Sequence, residues 1–452
     1  MTAVRGNLAG ARVVVLGLGV TGASVARVLA SWGAEVFGSD DRADVSVPDG
    51  IEAQTGSHDR AMQRMPDADL VVVSPGLAPH TAVVASALAS GVEVCSDIEL
   101  ASRVVNAPVV AVTGTNGKTS TCALIAGALR HAGRDVVSCG NEHEPFLSAV
   151  DARPDAEVYV VEASSFALEY TTTLRPRVAV FTNIAPDHLD WHQTFDAYRA
   201  AKAKITANQS AGDAFVYPCE QPELAAMAPD GVTRLGFSAD RTVDADGAWA
   251  DGGLAKVRIG DQITDVEGLR ALRDRGRPFV LDGLAAAAAV VYLGAGSDAV
   301  GLAFSGFEPR SHRVELVAEA GGVRFVDDSK ATNPHAAVAA IRGMEHVVLI
   351  AGGRGKGLDL RPLAAERDRL RAVVALGEAA DEVVHALEGS GVTVRVVADM
   401  RAAVEVARML AQPGDVVLLS PACASYDQFR DYAERGREFT RLARSLGAGV
   451  QT

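Results

Sequence analysis

The sequence predicts an α/β fold in three domains, each built on a parallel sheet wound with helices. Three observations predict it. The chain has 452 residues, too many for one core and suited to about three domains at roughly 150 residues each. Short runs of Val, Ile, Leu and Ala recur along it, each ending in a Gly- or hydroxyl-rich loop before a helical stretch. Apolar residues make up 48% and aromatics only 5%, the balance that helix-covered parallel strands use. The domains expected are 1–105, 106–308 and 309–452.

The first domain reads as Rossmann-like. Arg12 to Leu16 is a short apolar run leading into Gly17-Leu18-Gly19-Val20-Thr21-Gly22, and Ala23 to Trp32 has helical spacing. A second strand, Glu35 to Gly38, leads to Asp40. G-x-G-x-x-G between strand and helix, with an acid about twenty residues on, is the dinucleotide fingerprint. Alone it leaves open glycines that serve only strand–helix packing, or a loop for another diphosphate such as that of a nucleotide-sugar. Asp40, Asp41 and Arg42 then lie near a nucleoside end. Asp69 to Val73 is a further buried strand, closed by Ser74-Pro75-Gly76 at the ligand edge of the sheet.

The central domain reads as a P-loop ATPase-type parallel sheet. Val109 to Val112 is a buried strand, followed by a turn holding Gly114 and Gly117, and Lys118-Thr119-Ser120-Thr121 opens a helix. A glycine turn lets backbone N–H groups approach phosphate oxygens, and the helix N-terminus adds its positive end. A lysine there reaches the β- and γ-phosphates, and the next hydroxyl can ligate Mg²⁺. The loop is shorter than the usual pattern, which wants a glycine at Val112. Glu162 and His188 each follow a separate strand, 157–161 and 177–182, where such sheets place ligands. Beside a phosphate loop, their carboxylate and imidazole suit Mg²⁺ or Mn²⁺. Thr194 to Ile205 is helical, and its Lys202 and Lys204 read by themselves as solvated. Residues 240–267 read as an antiparallel excursion and Pro278 to Leu293 as a long Ala-rich helix.

The third domain again reads as Rossmann-like. Its strands end in Asp327-Asp328-Ser329-Lys330-Ala331-Thr332-Asn333-Pro334, in Gly352-Gly353-Arg354-Gly355-Lys356-Gly357 and in Ser420-Pro421-Ala422-Cys423-Ala424-Ser425. Three such loops carrying Lys or Ser point to a ligand edge rather than a merely structural domain.

The charge balance is 43 basic against 57 acidic residues, net −14, which argues against nucleic acid or an anionic membrane as the main partner. Five scattered cysteines without C-x-x-C spacing suit free thiols in a reducing compartment. The start runs into a strand without a signal-peptide pattern, and no apolar run reaches the length of a membrane span. A cytoplasmic protein is expected.

G-T-N-G-K-T-S-T, E-A-S-S-F, N-x-x-x-D-H-L-D, Y-R-A-A-K, S-H-R-x-E, D-D-S-K-A-T-N-P, G-G-x-x-K-G and L-L-S-P-A-C-A-S-Y-D-Q-F, in this order, resemble the motifs of the Mur ligase family over nearly the whole chain. The Asp-Ser-Lys-Ala-Thr-Asn and Ser-Pro-Ala-Cys-Ala-Ser stretches are similar to those of its D-glutamate-adding member. The resemblance implies an ATP- and Mg²⁺-dependent amide ligase of peptidoglycan synthesis, working as a monomer. ATP phosphorylates the alanyl carboxylate of UDP-N-acetylmuramoyl-L-alanine, and the amine of D-glutamate displaces phosphate from the acyl phosphate.

Carried over by position, the resemblance implies that Gly114, Thr115, Asn116, Gly117, Lys118, Thr119, Ser120, Asp282, Arg313 and Asp328 hold ATP. Thr119, Glu162, His188 and Lys202, the last as a carbamate, take the metal, and Lys118, Lys202 and His188 are catalytic. Carbamylation requires burial that lowers the amine's pKa until the neutral form captures CO₂. Leu18, Thr21, Asp40, Arg42, Gly76 and Asn141 face the UDP substrate. Lys330, Thr332, Lys356, Ser425 and Tyr432 surround the amino acid, where cations and hydroxyls pair its carboxylates.

The chain departs from the family pattern at Glu142-His143-Glu144-Pro145, at Asp282 where many members have an asparagine, at Asp41, and at Tyr432 where a phenylalanine is usual. None of these touches the phosphate machinery. Rival readings are a sister ligase with another amino acid or a folate-type acceptor, and a nicotinamide-dependent oxidoreductase. The second leaves Lys118, Glu162, His188 and Lys202 without a task.

Overall fold

A computed structural model describes residues 8–448; the start of the chain, read above as lacking a leader pattern, has residues 1–7 outside that range. The chain divides into two compact units. The first comprises the chain to Ile184, Trp191–Leu269 and Asp282–Ser305; the second comprises Ala185–Asp190, Arg270–Leu281 and the chain from Gly306.

The first unit holds two sheets. The smaller has five parallel strands in the order β3-β2-β1-β4-β5, with β1 Arg12–Leu16, β2 Glu35–Asp40, β3 Glu52–Thr55, β4 Leu70–Val73 and β5 Val94–Cys95. The continuous Val/Leu runs of β1 and β4 are buried on both faces, as expected of central parallel strands. The sheet has the Rossmann winding expected, with the reversal of strand order beside β1. Strand β2 extends past its apolar stretch and ends at Asp40, as expected.

The larger sheet has nine strands, ordered β14-β13-β12-β11-β10-β9-β6-β8-β7. They are β6 Val109–Thr113, β7 Val136–Gly140, β8 Val158–Glu162, β9 Val178–Phe181, β10 Ala214–Pro218, β11 Thr233–Ser238, β12 Gly247–Asp251, β13 Leu254–Ile259 and β14 Gln262–Val266. Strand β6 sits between β8 and β9, parallel to both, which places the glycine turn after it at the centre of the strand C-terminal edge. The antiparallel excursion expected over 240–267 is present as β12, β13 and β14. It is no appendage, because β12 pairs in parallel with β11 and continues the main sheet. The Ala-rich helix is Arg277–Tyr292.

Two carboxylates fasten the sheets of this unit together. Asp97 and Glu99 lie in the first turn of the helix Asp97–Val104, capped by Ser96. Asp97 accepts the backbone N–H groups of Phe146 and Leu147 at 2.9 and 3.0 Å, the otherwise unpartnered start of the helix Phe146–Ala152. Glu99 accepts the backbone N–H groups and hydroxyls of both Thr172 and Thr173 and the Arg103 guanidinium at 2.9 Å.

The second unit carries a six-stranded sheet, β15-β16-β20-β17-β18-β19, with β15 Glu315–Ala320, β16 Val323–Asp327, β17 Val347–Gly352, β18 Leu370–Leu376, β19 Thr393–Val396 and β20 Val416–Ala422. All pairs are parallel except the β15–β16 hairpin. Its two turn residues, Gly321 and Gly322, have φ of 58 and 73°, the left-handed pair that a tight hairpin requires. All five cysteines are free thiols, and among the described residues no helix is long and apolar enough to cross a membrane.

Candidate active site

The turn after β6 is shaped by what cannot fit there. A Cβ on Gly114 (φ +146°) would lie 1.9 Å from Thr182 Oγ1, and one on Gly117 (φ +87°) would lie 2.3 Å from Asp282 Oδ1. Only glycine meets both the backbone conformation and the space. Gly117 caps the helix Lys118–His131 without a side-chain hydrogen bond, so the N–H groups of the first helical turn remain directed at the loop. The end of β9 braces the turn. Asn183 accepts the Thr115 N–H through its carbonyl at 2.9 Å and the Asn116 N–H through Oδ1 at 3.0 Å, while its Nδ2 donates to the Asn116 carbonyl. Lys118 Nζ donates to the carbonyls of Gly114 and Thr115, both at 3.0 Å. Thr119 and Ser120 are buried.

A second lysine reaches the same turn. Helix Phe195–Ala203, capped by Thr194, points Lys202 inward until it is only 1% exposed. Its Nζ donates to the Gly114 carbonyl at 2.8 Å and to Thr113 Oγ1 at 3.3 Å, and lies 4.7 Å from the centroid of the Tyr198 ring. The Tyr198 hydroxyl is 3.0 Å from Thr115 Oγ1. Lys204 turns away and pairs with Glu169 at 3.1 Å. The bland reading of both lysines as solvated therefore fails for Lys202, whose helix packs against the sheet edge.

Glu162 is the last residue of β8, opposite Val112 in the register, and 1% exposed. Its Oε1 accepts from Asn141 Nδ2 at 3.0 Å. Its Oε2 is buried without a hydrogen-bond partner, with the His143 imidazole 3.8 Å away. A buried carboxylate oxygen left over in this way is suited to a cation. In the departing stretch, Glu142 (φ 60°) and Glu144 are exposed, and the Glu144 carbonyl accepts the Gly140 N–H.

At the edge of the smaller sheet, Asp40 is buried and fully engaged. It accepts the Leu18 N–H at 2.7 Å, the Arg42 N–H at 2.9 Å and the Arg42 guanidinium at 3.0 and 3.1 Å. Burial pushes its pKa up, but these donors and the Arg42 charge outweigh it and bring the value down to about 2. The Gly17 turn is drawn against Ser74, whose hydroxyl donates to the Gly17 carbonyl at 2.7 Å. Leu18 is buried, Thr21 half-buried and Gly76 exposed, so the glycine turn, Asp40 and the loop after β4 share one edge.

In the second unit, Asp328 follows β16 and is buried. It accepts from the Ser420 hydroxyl at 2.8 Å and the Val314 N–H at 3.3 Å. Burial pushes its carboxyl up to about 7, against these donors and the nearby Arg313 charge. Lys330 places its ammonium 3.9 Å from the centre of the Tyr432 ring, close enough for a cation–π contact. Ser425 is buried and Thr332 half-buried. Lys356 pairs with Asp187 at 3.1 Å, and His188 stands beside it with φ of 54°. Thr119, Glu162, Lys202 and Asp282 thus belong to the first unit, and His188, Arg313, Asp328 and the five amino-acid-site candidates to the second.

Among the organisers that sequence reasoning misses, Arg435 joins two of these loops. Arg435, 2% exposed, donates to the Ser329 hydroxyl and carbonyl and to the carbonyls of Cys423 and Ala424, at 2.9 to 3.2 Å. One guanidinium therefore joins the loop carrying Lys330 to the loop carrying Ser425. Nothing in the sequence near Arg435 marks it, because its partners lie up to 106 residues away.

Three family models match the chain: a Mur ligase MurD-like N-terminal domain over 11–96, a Mur ligase middle domain over 112–265, and a Mur ligase glutamate ligase domain over 312–423. Among curated relatives, the UDP-N-acetylmuramoylalanine–D-glutamate ligase of Pelotomaculum thermopropionicum is 38% identical over 449 residues, covering 97% of this chain and 98% of that one. The protein of the same name from Salinibacter ruber is 39% identical over 456 residues, covering 96% and 98%. Among solved structures, the UDP-N-acetylmuramate-alanine ligase of Thermotoga maritima aligns over 96% of this chain and 99% of its own, with a TM-score of 0.57 at 20% identity. The MurF ligase of Thermotoga maritima, solved in complex with ADP, covers 84% and 95%, with a TM-score of 0.58 at 18% identity. At those identities the two structures are alike in fold.

Proposed function

The chain belongs to the Mur ligase family, and on that premise we propose that it joins D-glutamate to UDP-N-acetylmuramoyl-L-alanine at the expense of ATP. The observation that carries this reading is the convergence of Lys118 and buried Lys202 on one glycine turn, beside a buried carboxylate with an oxygen to spare. Relatives sharing 38 to 39% of their residues over nearly the full length bear the corresponding name.

In the reaction, the alanyl carboxylate of the acceptor attacks the γ-phosphorus of ATP and ADP departs. The amine of D-glutamate then attacks the acyl carbon. Phosphate leaves with the C–O bonding electrons, and the amine gives up a proton to form the amide. Such transfers need charge neutralisation and positioning rather than covalent help from the protein.

Each residue has a part in that scheme. The turn from Gly114 to Ser120 holds the phosphates, through backbone N–H groups other than those of Thr115 and Asn116, which Asn183 takes up, and Lys118 exchanges its loop carbonyls for the β- and γ-oxygens. Asp282 and Arg313 flank the nucleotide and Asp328 accepts the ribose hydroxyls. Thr119, Glu162 and His188 would hold Mg²⁺, which would supply neutralisation of the phosphate charge. The partnerless Glu162 oxygen fits that role. Lys202 joins them as a carbamate: its neutral amine nitrogen bonds to the carbon of CO₂ and loses a proton, leaving an anion. Burial of the amine supports this, because desolvation favours the neutral form. Leu18, Thr21, Asp40, Arg42, Gly76 and Asn141 take the UDP-sugar acceptor, and Lys330, Thr332, Lys356, Ser425 and Tyr432 take the glutamate.

Functionally the chain divides into an acceptor part (1–105), an ATP part (106–308) and an amino-acid part (309–452). It acts as a cytoplasmic monomer on small molecules alone. The test is phosphate release with ATP, Mg²⁺ and UDP-N-acetylmuramoyl-L-alanine, with D-glutamate, L-glutamate or neither. Release that requires D-glutamate supports the reading. Release only with L-glutamate keeps the ligase and changes its amino acid, and no release with either overturns the acceptor.

A further inference from the structure

Asp187 lies in the short segment Ala185–Asp190, which belongs to the second unit. It is 3% exposed, yet its carboxylate serves three separate motifs. Oδ1 accepts the Lys356 ammonium at 3.1 Å and the His188 N–H at 2.9 Å. Oδ2 accepts Asn333 Nδ2 at 2.9 Å. Asn333 cannot swivel freely, because its Oδ1 caps the helix Pro334–Ile341 through the Ala336 N–H at 2.9 Å. The carboxylate is therefore held from behind by a fixed amide and a backbone donor.

Lys356 is the flexible partner. It sits between Gly355 and Gly357, the latter with φ of +66°, in a loop whose glycines give the backbone little stiffness. A lysine stem of four methylenes on such a loop has no intrinsic aim. One of its three ammonium donors goes to Asp187, and its side chain keeps 21% of its surface open. An ammonium tethered by one donor and still reachable by solvent can offer the others to a ligand carboxylate.

We propose that Asp187 is a positioning residue that aims the Lys356 ammonium at a carboxylate of the incoming amino acid. The inference rests on the functional reading above, in which Lys356 faces the glutamate. It assigns Asp187 no contact with substrate; its whole effect passes through Lys356.

A double-mutant cycle tests that route. The variants are Asp187→Asn, Lys356→Met and the pair, assayed by phosphate release. Asp187→Asn raises KM for D-glutamate about tenfold, the order expected for loss of a charge-assisted contact. KM for ATP, KM for the UDP acceptor and the Mg²⁺ dependence change less than about twofold, which separates aiming of Lys356 from a disturbed His188. In the Lys356→Met background the same substitution raises KM for D-glutamate less than about twofold further. Multiplying effects in the double variant would overturn the proposal, as would equal rises in all three KM values. Should Asp187→Asn not fold, Asp187→Glu takes its place in the cycle, since it keeps the charge but displaces the ammonium. Absence of D-glutamate-dependent release in the unaltered enzyme would sink the functional reading itself; release with multiplying effects would sink only the role of Asp187.

Discussion

The Lys202 ammonium donates to the Gly114 carbonyl at 2.8 Å, so the helix Phe195–Ala203 ends on the turn that Lys118 also grips. Two lysines on one glycine turn, with a carboxylate of β8 alongside, make a site that responds sharply to single changes.

Lys202→Ala removes the amine that would become a carbamate. Turnover is expected to fall at least about a hundredfold, the scale of a lost metal-supporting group. Short carboxylic acids should restore part of it by supplying the missing anion. Wild-type-like turnover would end the carbamate assignment; the check is steady-state phosphate release with and without added acid.

Lys118→Ala leaves the smaller sheet and its edge untouched. It is expected to abolish turnover, by about a thousandfold or more for loss of a cation on the transferring phosphoryl group. Titration calorimetry with UDP-N-acetylmuramoyl-L-alanine should show near-normal binding. Full activity would remove the phosphate-loop assignment.

Gly117→Ala tests the shape of the turn rather than its charge. A methyl there meets Asp282 Oδ1 at 2.3 Å on a backbone with φ of +87°, a strain of about 1–3 kcal/mol. ATP affinity should drop about tenfold or more, measured by nucleotide titration. Gly117→Ala combined with Asp282→Ala relieves the clash but keeps the backbone strain and also removes a side chain proposed to hold the nucleotide, so the loss of affinity relative to Asp282→Ala alone should shrink without vanishing.

Glu99→Gln probes the fastening of the two sheets in the first unit. The carboxylate is buried, which by itself raises its pKa, but Thr173, Thr172 and Arg103 outweigh this and hold it below the ordinary 4.5. A carboxyl depressed on folding contributes stability above its unfolded pKa and loses it as pH falls through the folded value. At pH 7 the variant should be about 2–3 kcal/mol less stable. That gap should close at pH values below about 4.5, as followed by denaturant unfolding at several pH values.

What the sequence discloses and what it hides divide along chain distance. The Gly114 turn, the Gly17 turn and the loops after β16, β17 and β20 were legible because each is a local strand–loop–helix pattern. Strands β10 and β11 are not anticipated: AFVYP ends in proline and TRLGFS holds an internal glycine, both weak strand signals, and pairing of β10 with β9 and of β11 with β10 and β12 overrides them. Asp97, Glu99, Asp187 and Arg435 were passed over for another reason. Their partners lie 49 to 169 residues away along the chain, apart from close neighbours, and a buried carboxylate is indistinguishable in sequence from a surface one. Lys202 shows the same limit, since its neighbours in sequence suggest a solvated helix face.

Asp328 makes the reading sensitive to pH near neutrality. Burial raises its carboxyl to about 7 despite the Ser420 and Val314 donors. On the proposed reading the ionised form would accept hydrogen bonds from the ribose hydroxyls, whereas the protonated form would spend one oxygen as a donor. ATP binding should therefore weaken as pH falls below about 7, with only about a tenth of the enzyme ionised at this residue by pH 6. KM for ATP is expected to rise about tenfold between pH 8 and pH 6. In Asp328→Asn, which has no titrating carboxyl, KM should start high and show a profile set by the nucleotide's own phosphates alone. The ratio of variant to wild type across pH isolates the residue: it should be large at pH 8 and shrink towards pH 6. A ratio that stays flat would mean that Asp328 titrates elsewhere or does not face the nucleotide.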